Sequence, residues 1–184
     1  MIDARAAGHL NAEIALVVSS RPDAQGLQRA GQAGIPTIAL SRAVYKEAWA
    51  ADELICEALT QAGCDYVVLA GYMRQVHPEL LDAFCERVIN LHPALLPAFP
   101  GAHAIEDAWQ RGVKVTGVTV HFVNDEYDAG PIIAQRAVEV RPEDSLESLT
   151  ERIHAVEHQL LPETLQLVAA GRVAIGDDGK VTVK

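Results

Sequence analysis

The chain has 184 residues, 49% hydrophobic and 22% charged, enough to bury one substantial core and unlike a disordered composition. Its formal net charge of −10, from 25 acids against 15 Lys plus Arg, excludes the broad cationic face that nucleic acid or an anionic membrane requires. Cys56, Cys64 and Cys85 show no metal-like pairing and point to a reduced, cytoplasmic compartment.

The opening residues lack a secretory apolar region, and no run reaches the roughly 18 apolar residues of a membrane span, so no membrane partner is expected. The β-branched run 12–20 predicts a buried strand ended by Ser19-Ser20. Residues 24–34 have helix formers and a glycine stop, and 35–40 reads as a short strand. A long amphipathic helix is predicted over 45–63, closed by Gly63. Strand 65–72, a short helix from His77 and strand 88–92 follow. Residues 117–124 and 131–140 are predicted strands, with Asn, Asp, Gly and Pro marking a loop between them. Asp144 opens a helix running to about Gly171, with Glu147 completing a capping box. In the tail, Asp177-Asp178-Gly179 between apolar runs signals a hairpin. Strands alternating with helices predict an α/β fold in one domain, 1–184: a mostly parallel, doubly wound sheet with helices on both faces.

In such a sheet ligands sit beyond the carboxyl ends of the strands. Asn90 and His92 end one strand there, followed by a stiff but greasy segment with Pro93, Pro97 and Pro100 among Leu95, Leu96 and Phe99. An imidazole and a carboxamide can donate to an oxygen that gains charge as a carbonyl is attacked. Asp128, in the loop 124–131, can orient the imidazole and relay a proton. The plainer reading makes His92 a hydrogen-bonded core residue and Asp128 a solvated acid. His154 to His158 matches H-x-x-E-H, an inverted zinc-protease pattern, but a third ligand is not evident; a structural or substrate-facing helix surface is expected there, and no metal. The segment 71–81 can line a pocket for a flat heterocycle or can be a simple strand-to-helix connection.

Taken together, VVLAGYMR (67–74), the run 88–104, the run 116–135 and the run 151–165 closely resemble the phosphoribosylglycinamide formyltransferase family, and the match extends in order from about residue 1 to 171. The resemblance implies a Rossmann-like formyltransferase fold, with formyl transfer from 10-formyltetrahydrofolate as co-substrate to the amine of 5-phosphoribosylglycinamide. Position by position, Asn90, His92 and Asp128 match the catalytic trio. Lys46, Met73, Arg74, Gln75, Val76, Asn90 and the loop Asn124, Asp125, Glu126, Tyr127, Asp128 match the folate pocket. Pro93, His154 and Glu157 match the ribonucleotide side, which explains the H-x-x-E-H face without a metal. A homodimer is an admissible assembly.

The family begins with a strand and a Gly-rich loop that cradles the substrate phosphate, whereas MIDARAAG resembles the second half of the helix that follows. Two explanations compete: the real protein starts upstream of Met1, carries both and is active, which is the favoured reading, or the strand and loop are lacking; for the chain as given, weak turnover, poor ribonucleotide affinity and low stability are expected. Two other outcomes remain open: a formyltetrahydrofolate hydrolase that uses water as acceptor, and a folate-binding remnant without catalysis.

Overall fold

The computed structural model describes residues 1–184 apart from Arg42, Ala43, Tyr45, Lys46 and Met73 and the side chain of Ala48. Helix α1 (Ile2–Ala6) leads to β1 (Val17–Ser19), α2 (Gln25–Gln32) and β2 (Thr37–Ala39). Then come α3 (Ala48–Gln61), β3 (Val67–Leu69), α4 (Pro78–Ala83) and β4 (Val88–His92). The second half holds α5 (Ala104–Arg111), β5 (Val115–Phe122), β6 (Ile132–Glu139), α6 (Leu146–Ala169) and the hairpin β7 (Val173–Ile175) and β8 (Val181–Val183).

The architecture is mixed α/β and Rossmann-like. β1 pairs with β2 and β3 with β4, both in parallel, while β4–β5 and β5–β6 are antiparallel. The wound, parallel part is therefore the N-terminal half, and the chain direction reverses at the β4–β5 boundary. Among the described residues β1–β2 forms one ladder and β3-β4-β5-β6 another. Both pack on one core: Val18 and Ile38 lie against the cluster of Leu40, Ile55, Leu59, Val67, Leu69 and Leu80.

Side-chain alternation along β4 separates two cores. Val88 belongs to the cluster under α3 and α4, whereas Ile89 belongs to the one under α6. On that second face α6 buries Leu149, Ile153, Leu160, Leu161, Leu165 and Val168 at helical spacing against Val118, Val120 and Phe122. Helices thus cover both faces of the sheet, as the rhythm of the sequence implies.

Boundaries differ from the pattern in informative ways. Ladder pairing in β1 covers only 17–19 of the predicted 12–20, because among the described residues β1 has a ladder partner on one side alone. Helix α5 was not anticipated; its buried Ala104 and Ala108 at i, i+4, and Gly112 at φ 69° after its last turn, are the signals that mark it. Asp144 does not cap α6. Ser145 does, accepting from the Ser148 N–H at 3.1 Å. Asp144 instead accepts from the Arg141 N–H at 2.7 Å and the Ser148 hydroxyl at 3.0 Å and pairs with Arg152, interactions that hold its carboxyl below the usual range.

Gly117 shows how tightly β5 is packed. A Cβ there would lie 2.2 Å from the Arg136 carbonyl oxygen and 2.7 Å from Leu95 Cδ2. Gly117→Ala is expected to lower stability by about 1–3 kcal/mol, read by chemical denaturation, because a backbone carbonyl on one side has nowhere to retreat.

Candidate active site

Strand β4 delivers Asn90 and His92 to its C-terminal end, and its antiparallel ladder with β5 sets Asn90 directly across from His121. The loop after β5 returns Asp128 to the same place, at φ 53°, a left-handed conformation that a non-glycine residue adopts at a cost. The three expected groups converge. Asp128 Oδ2 is 3.4 Å from His92 Nδ1, and Asp128 Oδ1 is 3.5 Å from Asn90 Nδ2. The Asp128 side chain is 7% exposed and His92 is 4% exposed, so this carboxylate is not a solvated loop acid.

Each ring nitrogen of His92 has a defined neighbour. Nε2 lies 2.8 Å from the Phe99 carbonyl, which can only accept, so Nε2 carries a proton. Nδ1 faces Asp128. The carboxylate is also held from the other side, since the Gly101 N–H donates to Oδ2 at 2.8 Å.

The greasy proline loop after His92 is tied down by one hydroxyl. Thr119, fully buried on β5, donates to the Ala94 carbonyl at 2.7 Å and accepts from the Leu96 N–H at 3.1 Å. Gln135 Nε2 adds bonds to the Leu96 carbonyl and to Thr119 Oγ1, both at 2.9 Å. The loop's polar backbone is thus satisfied inside the protein, while Leu96 and Ala94 are buried. A cis Leu96–Pro97 bond lies within it.

His121 was missed by sequence reasoning. Its position in the alternating strand and its polarity among apolar neighbours were the available signals. It is 1% exposed, and its Nδ1–H donates to the Phe122 carbonyl at 2.8 Å. Nε2 is then an acceptor and receives the Asn90 Nδ2–H at 3.2 Å, which orients the carboxamide. Burial pushes the His121 pKa below its ordinary value, against the opposing effects of the Phe122 carbonyl and the Asp128 charge.

The other predicted residues divide into three groups. Arg74, Gln75, Val76, Asn124, Glu126, Tyr127 and Asp128 line one cavity with Asn90, His121, Leu69, Tyr72 and Val123. Asp125 joins its rim, its carbonyl accepting from Gln75 Nε2 at 3.3 Å. Lys46 and Met73 lie outside the described residues. His154 and Glu157 share a face of α6, with His154 Nε2 3.9 Å from Glu157 Oε2, and burial raises the Glu157 carboxyl pKa. Pro93 is half-buried directly after His92. The cavity at the trio is small, about 30 Å³, while a wider one of about 820 Å³ lies between α1 and the residues around Leu10 and shares no lining residue with it. The smaller one is the candidate site, because converging donors and buried charge, not volume, mark a reactive site. Among the described residues no group of three or more His, Cys, Asp or Glu is placed to hold a metal ion, and no helix is long and apolar enough to cross a membrane.

The formyl transferase family profile matches residues 1–165. This chain belongs to the formyl transferase family. It is 42% identical over 156 residues to the phosphoribosylglycinamide formyltransferase of Bacillus subtilis, covering 85% of this chain and 80% of that protein. Its fold superposes on glycinamide ribonucleotide transformylase 1 from Symbiobacterium toebii with a TM-score of 0.94 at 44% identity, covering 99% of this chain and 85% of the other. The trifunctional purine biosynthetic protein adenosine-3 of Bos taurus is 42% identical over 170 residues; the match takes in 92% of this chain but only 17% of that longer protein. The Rossmann-like formyltransferase fold expected from the motifs is therefore the fold of this chain.

The depressed His121 pKa gives a signed expectation. Below the unfolded value of about 6.5, the unfolded chain takes up a proton that folded His121 refuses, so stability falls as pH drops through that range, by up to about 1.4 kcal/mol per pH unit. Denaturation series between pH 5 and about 7.5 on the parent and on His121→Gln should show this slope only in the parent.

Proposed function

We propose that the chain transfers a formyl group from 10-formyltetrahydrofolate to the amine of 5-phosphoribosylglycinamide, a step of de novo purine synthesis. The observation that carries this reading is the buried convergence of Asn90, His92 and Asp128, with Asn90 and Asp128 lining the cavity, in a family whose relatives include phosphoribosylglycinamide formyltransferases. The neutral amine attacks the formyl carbon and the carbonyl oxygen takes the charge. Asn90 donates to that oxygen through the N–H directed at Asp128, whose 3.5 Å contact is the longer of its two. His92, carrying a second proton on Nδ1, donates to the same oxygen, and Asp128, 3.4 Å away, balances its charge. The attacking nitrogen loses a proton toward Asp128 through water. Collapse of the intermediate breaks the bond to folate N10, which takes up a proton, leaving the formylated amine and tetrahydrofolate.

The pteridine would sit between the walls formed by Tyr72, Arg74, Gln75 and Val76 on one side and Asn124, Glu126, Tyr127 and Asp128 on the other. As they stand, these walls leave room for about one or two waters, so binding requires them to part. The Gln75–Asp125 hydrogen bond is a contact that spans them. On the ribonucleotide side, the half-buried Glu157 with His154 supports a polar face that meets the acceptor.

Asp128→Asn isolates the charge, because Asn tolerates φ near 53°. It should keep the fold and lower kcat by about 10²–10³-fold, measured with both substrates. Formate release at the same rate with and without the ribonucleotide would instead favour the hydrolase.

A further inference from the structure

We propose that Asp52, which does not line the cavity, is a positioning residue for its folate wall, holding Tyr72 and His77, which flank Arg74, Gln75 and Val76, on one buried carboxylate. The inference rests on the folate reading of that cavity.

Asp52 sits on α3 beside Ala51, and both are fully buried. Its helix neighbours Ile55 and Leu59 belong to the apolar cluster under β3 and β4. An apolar residue is the stabilising choice at such a position, and an acid is tolerated only where donors meet it. Three donors do. The Tyr72 hydroxyl donates to Oδ1 at 2.8 Å, and the His77 N–H and Nδ1 lie 2.9 and 2.8 Å from Oδ2. Trp49, one turn earlier on α3, packs against the His77 ring in a tilted contact, with centroids 4.9 Å apart and the ring planes at 40°.

All three donors come from a single short stretch of chain. Tyr72 is itself part of the cavity wall, and His77 is the N-cap residue just ahead of α4. Between these two anchors lie Arg74, Gln75 and Val76, which line the cavity. A loop held at one end can swing about it; a loop held at both ends by one rigid group keeps its shape. Asp52 therefore acts on the wall rather than on the reacting atoms, and its loss should appear in folate affinity before it appears in chemistry.

The test uses the full chain and 5-formyltetrahydrofolate as the probe in isothermal calorimetry, with steady-state kinetics beside it. Asp52→Asn has the same shape but presents an amide to donors that need an oxygen. It should weaken probe binding by about tenfold and raise KM for the formyl donor similarly, with KM for the ribonucleotide unchanged and kcat little changed. Leu59→Ala, a core truncation on the same helix, serves as the control: it should lower the melting temperature at least as much and leave probe affinity unaltered. If Asp52→Asn does not fold, His77→Ala removes one ring donor and the Trp49 contact, keeps the backbone donor, and should still weaken the probe several-fold. Parent-like probe affinity in the folded variant, or an equal loss in Leu59→Ala, overturns the positioning role while leaving the folate reading intact. A parent chain that does not bind the probe overturns the folate reading, and this inference with it.

Discussion

The Asp128 carboxylate is the constraint on which the site depends. One oxygen accepts from the Gly101 backbone and faces His92; the other faces Asn90 and, at 3.8 Å, His121. Four groups from a strand end, a proline loop and a neighbouring strand thus share one nearly buried anion. Taking that charge out of water is costly, and the cost is offset only while its neighbours stay in place. The left-handed φ of Asp128 belongs to the same arrangement, a local strain borne where the surrounding contacts over-determine the backbone.

Around the carboxylate the polar groups satisfy one another. Thr119 uses its one proton and both lone-pair directions on Ala94, Leu96 and Gln135, and so keeps the loop of three prolines from moving His92's partner at Phe99. His121, kept from charging by burial, presents a lone pair to Asn90 and sets which way the carboxamide turns. A network satisfied in this way is rigid, which suits donors that must meet a charge as it develops. The cavity walls, by contrast, are joined across their rim by a long side chain and a backbone carbonyl.

Much of this was legible in the sequence, for identifiable reasons. Strand β4 opens on apolar Val88 and Ile89 and turns polar at Asn90 and His92 before Pro93, so 88–92 could be delimited to the residue. The capped helix α3 and the Asp-Asp-Gly hairpin rest on local backbone rules and were equally visible. The reversal of chain direction at β4–β5 was not, because parallel and antiparallel strands carry the same apolar content when both faces are buried. Asp144 was taken for a cap since it is a good one; the neighbouring Ser145 took that place while Arg152 and the Arg141 N–H engaged the acid. Asp52 and Thr119 were invisible for another reason: their importance lies wholly in partners 16 or more positions away.

The pairing of Asn90 with His121 is a rung of a β-ladder, not an encounter between flexible loops. Their spacing is therefore inherited from main-chain geometry, and the two residues move through sequence change as a single unit. Turns of different length can be exchanged at the rim without disturbing them. A one-residue insertion or deletion within either strand, however, would turn one partner to the opposite face of the sheet, so this part of the chain admits substitution far more readily than a change in length.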